Sequence, residues 1–208
     1  MFRKISYMLV AAIMAFMLVP MMVPVQAAVE VGKPAPQFKA TDIAGNEVDL
    51  AALKGKTVVL EWTNHMCPFV IKHYDSGNMQ ATQKKATDAG AVWISIVSSG
   101  EGMQGHTTLE EAAGIVKKHG AHPTHKILDA SGEIGKLYDA KTTPHMFVIN
   151  PEGNIVYAGA IDDQPSPRMS SVEGATNYVL AALDSIAAGE PVKVPSSAPY
   201  GCAVKYAY

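Results

Sequence analysis

The chain has 208 residues, a net charge of −2 and a charged-residue content of 17%. This length supplies one domain with its own core, and the lack of a basic stripe in the sequence argues against nucleic acid as a partner. Two cysteines are too few for a scaffold held together by disulfides.

The first 27 residues predict a secretory signal peptide. Arg3 and Lys4 give a positive start, an apolar stretch follows, and small residues suit cleavage after Ala27. An uncleaved membrane anchor is the alternative, because the apolar stretch approaches spanning length. Pro20 and Pro24 favour cleavage. We therefore expect an exported protein, periplasmic or extracellular, with no stable membrane span after cleavage and in a compartment where disulfides persist.

After this segment, periodicity and turn residues predict strands that alternate with helices. A Gly- and Pro-rich opening leads to a small hairpin that turns at Gly45-Asn46. The further elements are a strand at 57–63, a helix from Pro68 that breaks at 76–78 and resumes over 79–88, a strand at 91–98, a helix at 109–119 capped by Thr107 or Thr108, a strand at 126–128, a short helix at 132–138, a hairpin of strands 146–150 and 155–160, and a helix at 175–187. This order predicts an α/β domain over residues 28–189, with helices on both faces of a sheet. The Pro-rich segment 190–208 is predicted to lie on the surface as a tail.

The segment around Cys67 carries the strongest chemical signal. An apolar, β-branched run ends in a polar turn, and the pair Cys67-Pro68 opens a predicted helix. Proline is favoured at the first helical position, so Cys67 becomes the cap residue, with its sulfur beside free backbone N–H groups. The helix dipole and these amides favour the thiolate, which is the reactive form. The alternative is a small, buried hydrophobic residue.

Three segments of the chain carry a family resemblance. They are 58–62 leading into Cys67-Pro68-Phe69-Val70, Thr143-Pro144-His145-Met146 with the Pro-Glu-Gly-Asn turn behind it, and the opening 31–38. They resemble the redoxins of the alkyl hydroperoxide reductase and thiol-specific antioxidant family, and 64–65 and 200–205 resemble an exported subgroup. The resemblance implies a thioredoxin-like three-layer sandwich, a central mixed sheet flanked by helices, with an N-terminal hairpin extension. It also implies a cis-proline at Pro144 that faces the nucleophile, with Thr143, Pro144 and Pro68 on the substrate side.

The sequence departs from two active-site patterns of that fold. A dithiol oxidoreductase has a second cysteine three positions after the first, where this chain has Val70, and Asn64 stands three positions before. A peroxiredoxin has Thr or Ser at the position of Asn64 and Pro at the position of Leu60. Peroxide activation also uses an arginine, and Arg168 is the only one after the predicted signal peptide. The peroxidase residues are incomplete, although the Asn64 amide offers a hydrogen-bond donor.

Cys202 is the only internal thiol that is able to resolve an oxidised Cys67. An extended Pro-rich chain rises about 3.1 Å per residue, so the tail is long enough to reach the Cys67 site. A redox pair of Cys67 and Cys202 is one interpretation. A static structural disulfide and a free thiol on the tail are the alternatives.

Two further side chains are candidates for supporting roles. Glu61 lies within an apolar strand, where a carboxylate is expensive to bury unless it is paired or protonated. It is interpreted either as an acid–base group with a raised pKa that serves Cys67, or as the partner of a lysine such as Lys126. His65 is either a stabiliser of the thiolate or an exposed turn residue.

These residues predict a thiol-based oxidoreductase with Cys67 as nucleophile, without a cofactor and without a metal. Its activity is either peroxiredoxin-like and antioxidant or thiol–disulfide exchange, with a small peroxide or a protein disulfide as substrate and a thiol reductant as partner. The alternative from another class is an exported copper chaperone of the same fold, because His65, Met66, Cys67 and His73 offer soft sulfur and imidazole ligands.

Overall fold

The computed structural model describes residues 29–207. The predicted signal peptide lies outside the described residues. Within residues 29–207, no helix is both long and apolar enough to cross a membrane.

Strands and helices alternate along most of the described chain. The strands are β1 (Lys39–Thr41), β2 (Glu47–Asp49), β3 (Val58–Trp62), β4 (Val92–Val97), β5 (His125–Leu128), β6 (Thr142–Thr143), β7 (His145–Ile149), β8 (Ile155–Gly159) and β9 (Cys202–Ala203). The helices are α1 (Pro68–Asp75), α2 (Asn78–Asp88), α3 (Leu109–His119), α4 (Glu133–Leu137) and α5 (Tyr178–Ala188), with short 3₁₀ turns at Leu50–Leu53 and Met169–Val172.

The central sheet has five strands in the order β5-β4-β3-β7-β8. Strands β3, β4 and β5 run parallel, whereas β7 pairs antiparallel with both β3 and β8. Every residue of β3, β4 and β7 is buried, which explains their continuous apolar runs. The sheet is therefore mixed and covered on both faces, as predicted.

Each face of the sheet carries its own hydrophobic core. One core packs β-sheet residues against the N-terminal hairpin segment and α4, and includes Trp62, Tyr138 and Phe147. The other packs the opposite face against α1, α2 and α5, and includes Cys67, Val70 and Trp93. These layers form an α/β sandwich, and Cys67 is one of the buried residues of the second core.

The predicted elements agree with the structure to within a few residues. The interrupted helix is confirmed, because Gly77 adopts a left-handed conformation between α1 and α2. The last helix begins at Tyr178 rather than at residue 175, because the Asn177 side chain caps it by accepting from the Leu180 N–H. The capping box of α3 uses Thr108 with Glu111.

The C-terminal segment differs from the prediction in one respect. It lies along the body of the protein, and Cys202–Ala203 forms the two-residue strand β9, which pairs antiparallel with β6. A strand this short has no periodicity for a sequence to reveal, and its partner lies about 60 residues earlier in the chain.

Truncation of Phe147 tests the first core. Its ring centroid lies 5.4 Å from those of both Trp62 and Tyr138. We expect Phe147→Ala to lower the free energy of unfolding by about 3–5 kcal/mol, because the buried ring leaves a cavity. The measurement is denaturant unfolding followed by fluorescence. Met169→Ala, at a side chain that is 56% exposed, is the control and changes the free energy by about 0.5 kcal/mol or less. Equal effects of the two substitutions would contradict this description of the core.

Candidate active site

Cys67 lies at the point where the turn after β3 enters α1. It is the N-cap residue of α1, with extended backbone and with Pro68 at the first helical position. Its side chain is 0% exposed, whereas Pro68 beside it is exposed. Cys67 therefore lies at the N-terminus of α1, as the sequence predicts, but it is fully buried.

Asn64 fixes the shape of this turn. Its Oδ1 accepts from the Met66 N–H at 2.9 Å, its backbone carbonyl accepts from the Cys67 N–H at 2.9 Å, and its Nδ2 donates to the Gln104 carbonyl at 3.2 Å. The amide donor predicted to assist peroxide chemistry is thus directed at Gln104. In the structure Asn64 holds the Cys67 turn against the loop that follows β4.

The Thr143–Pro144 peptide bond lies opposite Cys67 and is cis, as the family resemblance implied. Thr143 and Pro144 are both buried. The Cys67 thiol donates to the Thr143 carbonyl oxygen, with Sγ and oxygen 3.1 Å apart. The predicted substrate-side wall therefore touches the sulfur directly.

Cys202 lies on the other side of the same wall. In the β6–β9 pair, Cys202 is opposite Thr143, and the Thr143 hydroxyl donates to the Cys202 carbonyl at 3.4 Å. The Val204 N–H continues the pairing by donating to the Lys141 carbonyl at 3.0 Å. The thiols of Cys67 and Cys202 are free and close enough for each to shift the pKa of the other. The structure therefore brings the two cysteines together, without a bond between them.

The two sulfurs differ in their tendency to ionise. Burial opposes ionisation of Cys67, but hydrogen bonds from the Cys202 thiol, from Thr143 and from the Val70 backbone N–H outweigh it and lower the pKa of Cys67. Burial and the neighbouring Cys67 sulfur raise the pKa of Cys202 to about 11. Cys67 is therefore the sulfur of the pair that ionises more readily, and Cys202 is the one that stays protonated to higher pH.

A buried polar cluster anchors the tail two residues before Cys202. The Tyr200 hydroxyl donates to Asp162 Oδ1 and accepts from Lys72 Nζ at 3.2 Å. The same hydroxyl lies 3.0 Å from His73 Nε2. Lys72, His73 and Asp162 are each 1% exposed or less. The tail is thus fixed to α1, the helix that carries Cys67.

This Tyr200 cluster was not foreseen from the sequence. Asp162 lies 90 residues after Lys72 in the sequence, and Tyr200 lies 128 residues after Lys72. The one signal was the occurrence of Lys72-His73-Tyr74 within an otherwise amphipathic helix. A lysine and a histidine on a buried helix face require partners, but the chain offers many.

Glu61 lies at the centre of a second buried network. Its carboxylate accepts from the Tyr74 hydroxyl at 2.9 Å, from Trp93 Nε1 at 2.8 Å, from the Ser95 hydroxyl at 2.6 Å and from Gln83 Nε2 at 3.2 Å. No hydrogen bond joins it to Cys67 within residues 29–207. These four donors satisfy the buried carboxyl oxygens. An acid–base role toward Cys67 stays a prediction, and the contacts present tie Glu61 to α1, α2 and β4.

His65 is directed away from Cys67. It lines a small cavity between α1, α3 and the sheet together with Tyr74, Thr107, His119 and Lys126. Burial and the charges of Lys126 and His119 lower its pKa. His65 is therefore neutral at pH 7, and its predicted role as a cationic partner of the thiolate has no geometric support.

The geometry does not support the copper-chaperone alternative. The His73 Nε2 contacts Tyr200 and its Nδ1 lies 2.8 Å from Asn78 Nδ2, so both ring nitrogens are engaged. Burial and the Lys72 ammonium lower the pKa of His73 to about 3. Met66 points to solvent, with 48% of its surface exposed. Across residues 29–207, no three His, Cys, Asp or Glu side chains are grouped so as to hold a metal ion.

Comparison with known proteins decides the family. The AhpC/TSA family model matches residues 31–158. The chain belongs to the AhpC/TSA family. This segment of the redoxin contains β3, Cys67 and the Thr143–Pro144 bond, whereas the tail with Tyr200 and Cys202 lies beyond it.

Of three proteins similar to this redoxin, two are named thiol-disulfide oxidoreductases and the third is uncharacterised. The chain is 30% identical over 126 residues to the thiol-disulfide oxidoreductase ResA of Bacillus subtilis, which covers 60% of this chain and 64% of ResA. A crystal structure of an uncharacterised conserved protein from Geobacillus kaustophilus is 26% identical, covers 86% of this chain and 93% of that one, and has a TM-score of 0.74. The thioredoxin domain of a Bacteroides vulgatus thiol-disulfide oxidoreductase shows the same fold, with 21% identity, 70% of this chain and 97% of that one covered, and a TM-score of 0.53.

The pH dependence of Cys67 alkylation tests the asymmetry of the two thiols. Thiolate is the form that reacts, so the rate rises with pH through the pKa of Cys67. We expect its midpoint to lie below the ordinary value for a cysteine, about 8.5. Cys202→Ala removes a donor and raises that midpoint, whereas Cys202→Ser retains a hydroxyl donor and raises it less. The measurement is iodoacetamide labelling followed by peptide mass spectrometry. A midpoint unaffected by either substitution would show that Cys202 does not tune Cys67.

Removal of the Tyr200 hydroxyl tests the anchor of the tail. Tyr200→Phe removes one hydrogen bond from the buried Lys72 and one from the buried Asp162, which then keep their bonds to Gln164 and Ser171, at a cost of about 1–3 kcal/mol. We expect the tail to open more often and Cys67 to be alkylated at least tenfold faster at a fixed pH. Tyr178→Phe is the control, because the Tyr178 hydroxyl makes no hydrogen bond within the described residues, and it leaves the rate unchanged. Equal rates for Tyr200→Phe and the wild type would show that the tail is held elsewhere.

Proposed function

We propose that this redoxin is an exported thiol–disulfide oxidoreductase in which Cys67 attacks the substrate and Cys202 resolves the intermediate. The observation that carries the proposal is the placement of two free thiols with opposite pKa shifts at Thr143, whose carbonyl accepts from Cys67 and whose strand partner is Cys202. The nucleophile is the sulfur with the lowered pKa. The resolving group stays protonated until it is needed.

The reaction proceeds by two exchanges that conserve electrons. The Cys67 thiolate attacks one sulfur of a substrate disulfide, so the substrate S–S bond breaks and a mixed disulfide with Cys67 forms. The Cys202 sulfur then attacks Cys67, gives up its proton to the departing substrate thiolate, and closes a Cys67–Cys202 disulfide. The substrate has gained two electrons and the enzyme has lost two. An external thiol reductant restores the pair.

A disulfide fits this site better than a peroxide does. Asn64 occupies the position of the peroxiredoxin Thr or Ser, and its amide donates to Gln104. Arg168 is exposed and makes no hydrogen bond to Cys67 within the described chain. Neither of the two side-chain donors that a peroxiredoxin uses, the Thr or Ser hydroxyl and the arginine, is therefore available to a peroxide at the sulfur. The named relatives are thiol-disulfide oxidoreductases, which supports the same choice.

Oxidation of the reduced protein tests the pairing of the cysteines. We expect a stoichiometric disulfide reagent to produce a Cys67–Cys202 bond that dithiothreitol reverses, because both cysteines lie next to Thr143. Mass spectrometry of proteolytic peptides identifies the bond. In Cys202→Ser the reaction stops at the mixed disulfide on Cys67, and in Cys67→Ser no mixed disulfide forms.

Two results would refute the proposed function. One is a wild-type protein that stays a stable mixed disulfide at Cys67 without ever linking to Cys202. The other is rapid consumption of hydrogen peroxide at Cys67 by the Cys202→Ser variant, together with slow reaction toward disulfides, which would favour the peroxidase activity instead.

A further inference from the structure

The edge of β6 holds an extended peptide, and that peptide is the chain's own tail. The β6 edge, meaning the backbone of Thr142–Thr143 that faces β9, pairs antiparallel with Cys202–Ala203. The pairing uses backbone groups of both segments, as when an extended peptide adds to a sheet edge. Cys202 is thereby placed opposite the residue that precedes Pro144, in contact with Cys67. A cysteine in a foreign peptide bound to the same edge would reach the same sulfur.

The fit of the tail restricts the residue before the reactive cysteine. Gly201 has a φ of 128°, a conformation that side chains rarely adopt. A Cβ atom added at Gly201 would collide with the carbonyl oxygen and carbon of Thr143. Both the conformation and the space therefore require glycine at this position.

The positions on either side of Gly201-Cys202 are different in character. Ala203 is exposed, so the residue after the cysteine is free to vary. Tyr200 places its ring 5.7 Å from that of Phe69 and its hydroxyl in the buried cluster with Lys72 and Asp162. A peptide bound to the β6 edge in the same way therefore requires glycine immediately before its cysteine, and an aromatic residue before the glycine strengthens its binding.

The docked tail also closes the site. Cys67 is 0% exposed, and the Cys202 sulfur is its neighbour on the side of β6. A disulfide from another molecule reaches Cys67 when β9 leaves the edge. A bound foreign peptide and the tail therefore exclude each other from the edge, and return of the tail brings Cys202 to Cys67 for the second exchange and displaces the product.

We infer that the β6 edge is a peptide-docking site, that β9 fills it as an intramolecular pseudosubstrate, and that the external substrates are extended peptides in which glycine directly precedes the disulfide-bonded cysteine. This inference rests on the proposed function and names its substrate class. In the first exchange the Cys67 thiolate attacks the cysteine sulfur of the peptide, and the leaving thiolate departs into solvent. No further oxidant or reductant is needed for that step.

Two synthetic peptides test the selectivity. The probes are Tyr-Gly-Cys-Ala and Tyr-Ala-Cys-Ala, each joined through its cysteine to thionitrobenzoate, whose release is followed by absorbance. With full-length Cys202→Ser protein, we expect the glycine peptide to react with Cys67 at least tenfold faster than the alanine peptide. Their rates toward free cysteine in solution correct for intrinsic reactivity. Equal corrected rates, or no reaction with either peptide, would overturn the inference.

A substitution in the tail tests the pseudosubstrate in the intact chain. Gly201→Ala forces β9 off the edge, so we expect Cys67 to be alkylated at least tenfold faster and a smaller fraction of Cys67–Cys202 disulfide in glutathione buffers. Gly189→Ala is the matched control, because Gly189 also has a positive φ and a Cβ there meets nothing within 4 Å. It leaves both measurements unchanged.

Different results would contradict the docking inference and the proposed function. If Gly201→Ala behaves like Gly189→Ala while wild-type protein still forms a reversible Cys67–Cys202 disulfide, the docking inference is wrong and the proposed function stands. If the wild-type disulfide does not form at all, the proposed function fails and the inference fails with it.

Discussion

The hydroxyl of Tyr200 is hydrogen-bonded to both members of a buried ion pair, Lys72 and Asp162, and the arrangement of the active site depends on these hydrogen bonds. Lys72 and Asp162 lie 3.8 Å apart with side chains that are 0% and 1% exposed. A buried pair of this kind is costly unless further hydrogen bonds satisfy its groups. Gln164 supplies one hydrogen bond to each group and the Tyr200 hydroxyl supplies another, so departure of the tail removes a hydrogen bond from both buried groups. The same contact holds Cys202 against Cys67, because only Gly201 separates it from Tyr200.

The different environments of Cys67 and Cys202 shift the pKa values of two chemically identical side chains in opposite directions. Hydrogen bonds to Cys67 outweigh its burial, so its pKa falls, whereas burial and the neighbouring Cys67 sulfur raise the pKa of Cys202. In the proposed reaction the Cys67 thiolate is the attacking group, and Cys202 carries the proton that the leaving group requires. A second cysteine inside α1 would compete for the same amides. A resolving cysteine on a separate strand avoids that competition.

Membership of the AhpC/TSA family accounts for the body of the molecule and not for its tail. The family match covers residues 31–158, and it includes the strand, the turn and the cis-proline that surround Cys67. Two positions, Val70 and Asn64, depart from the active-site patterns of the fold. Under the proposed function Cys202 takes the place of a second cysteine at Val70, and the Asn64 amide donates to Gln104.

The sequence by itself determined the alternating α/β fold, the position of Cys67 at a helix start and the break between α1 and α2, because periodicity, caps and glycine act over a few residues. Tertiary structure decided the rest. The pairing of β9 with β6, the convergence of Tyr200, Lys72 and Asp162, and the turning of His65 into its cavity join segments far apart in the chain. Tail length showed only that Cys202 was able to reach Cys67. Its actual place depends on backbone hydrogen bonds and a buried charge pair, which have no local pattern in a sequence.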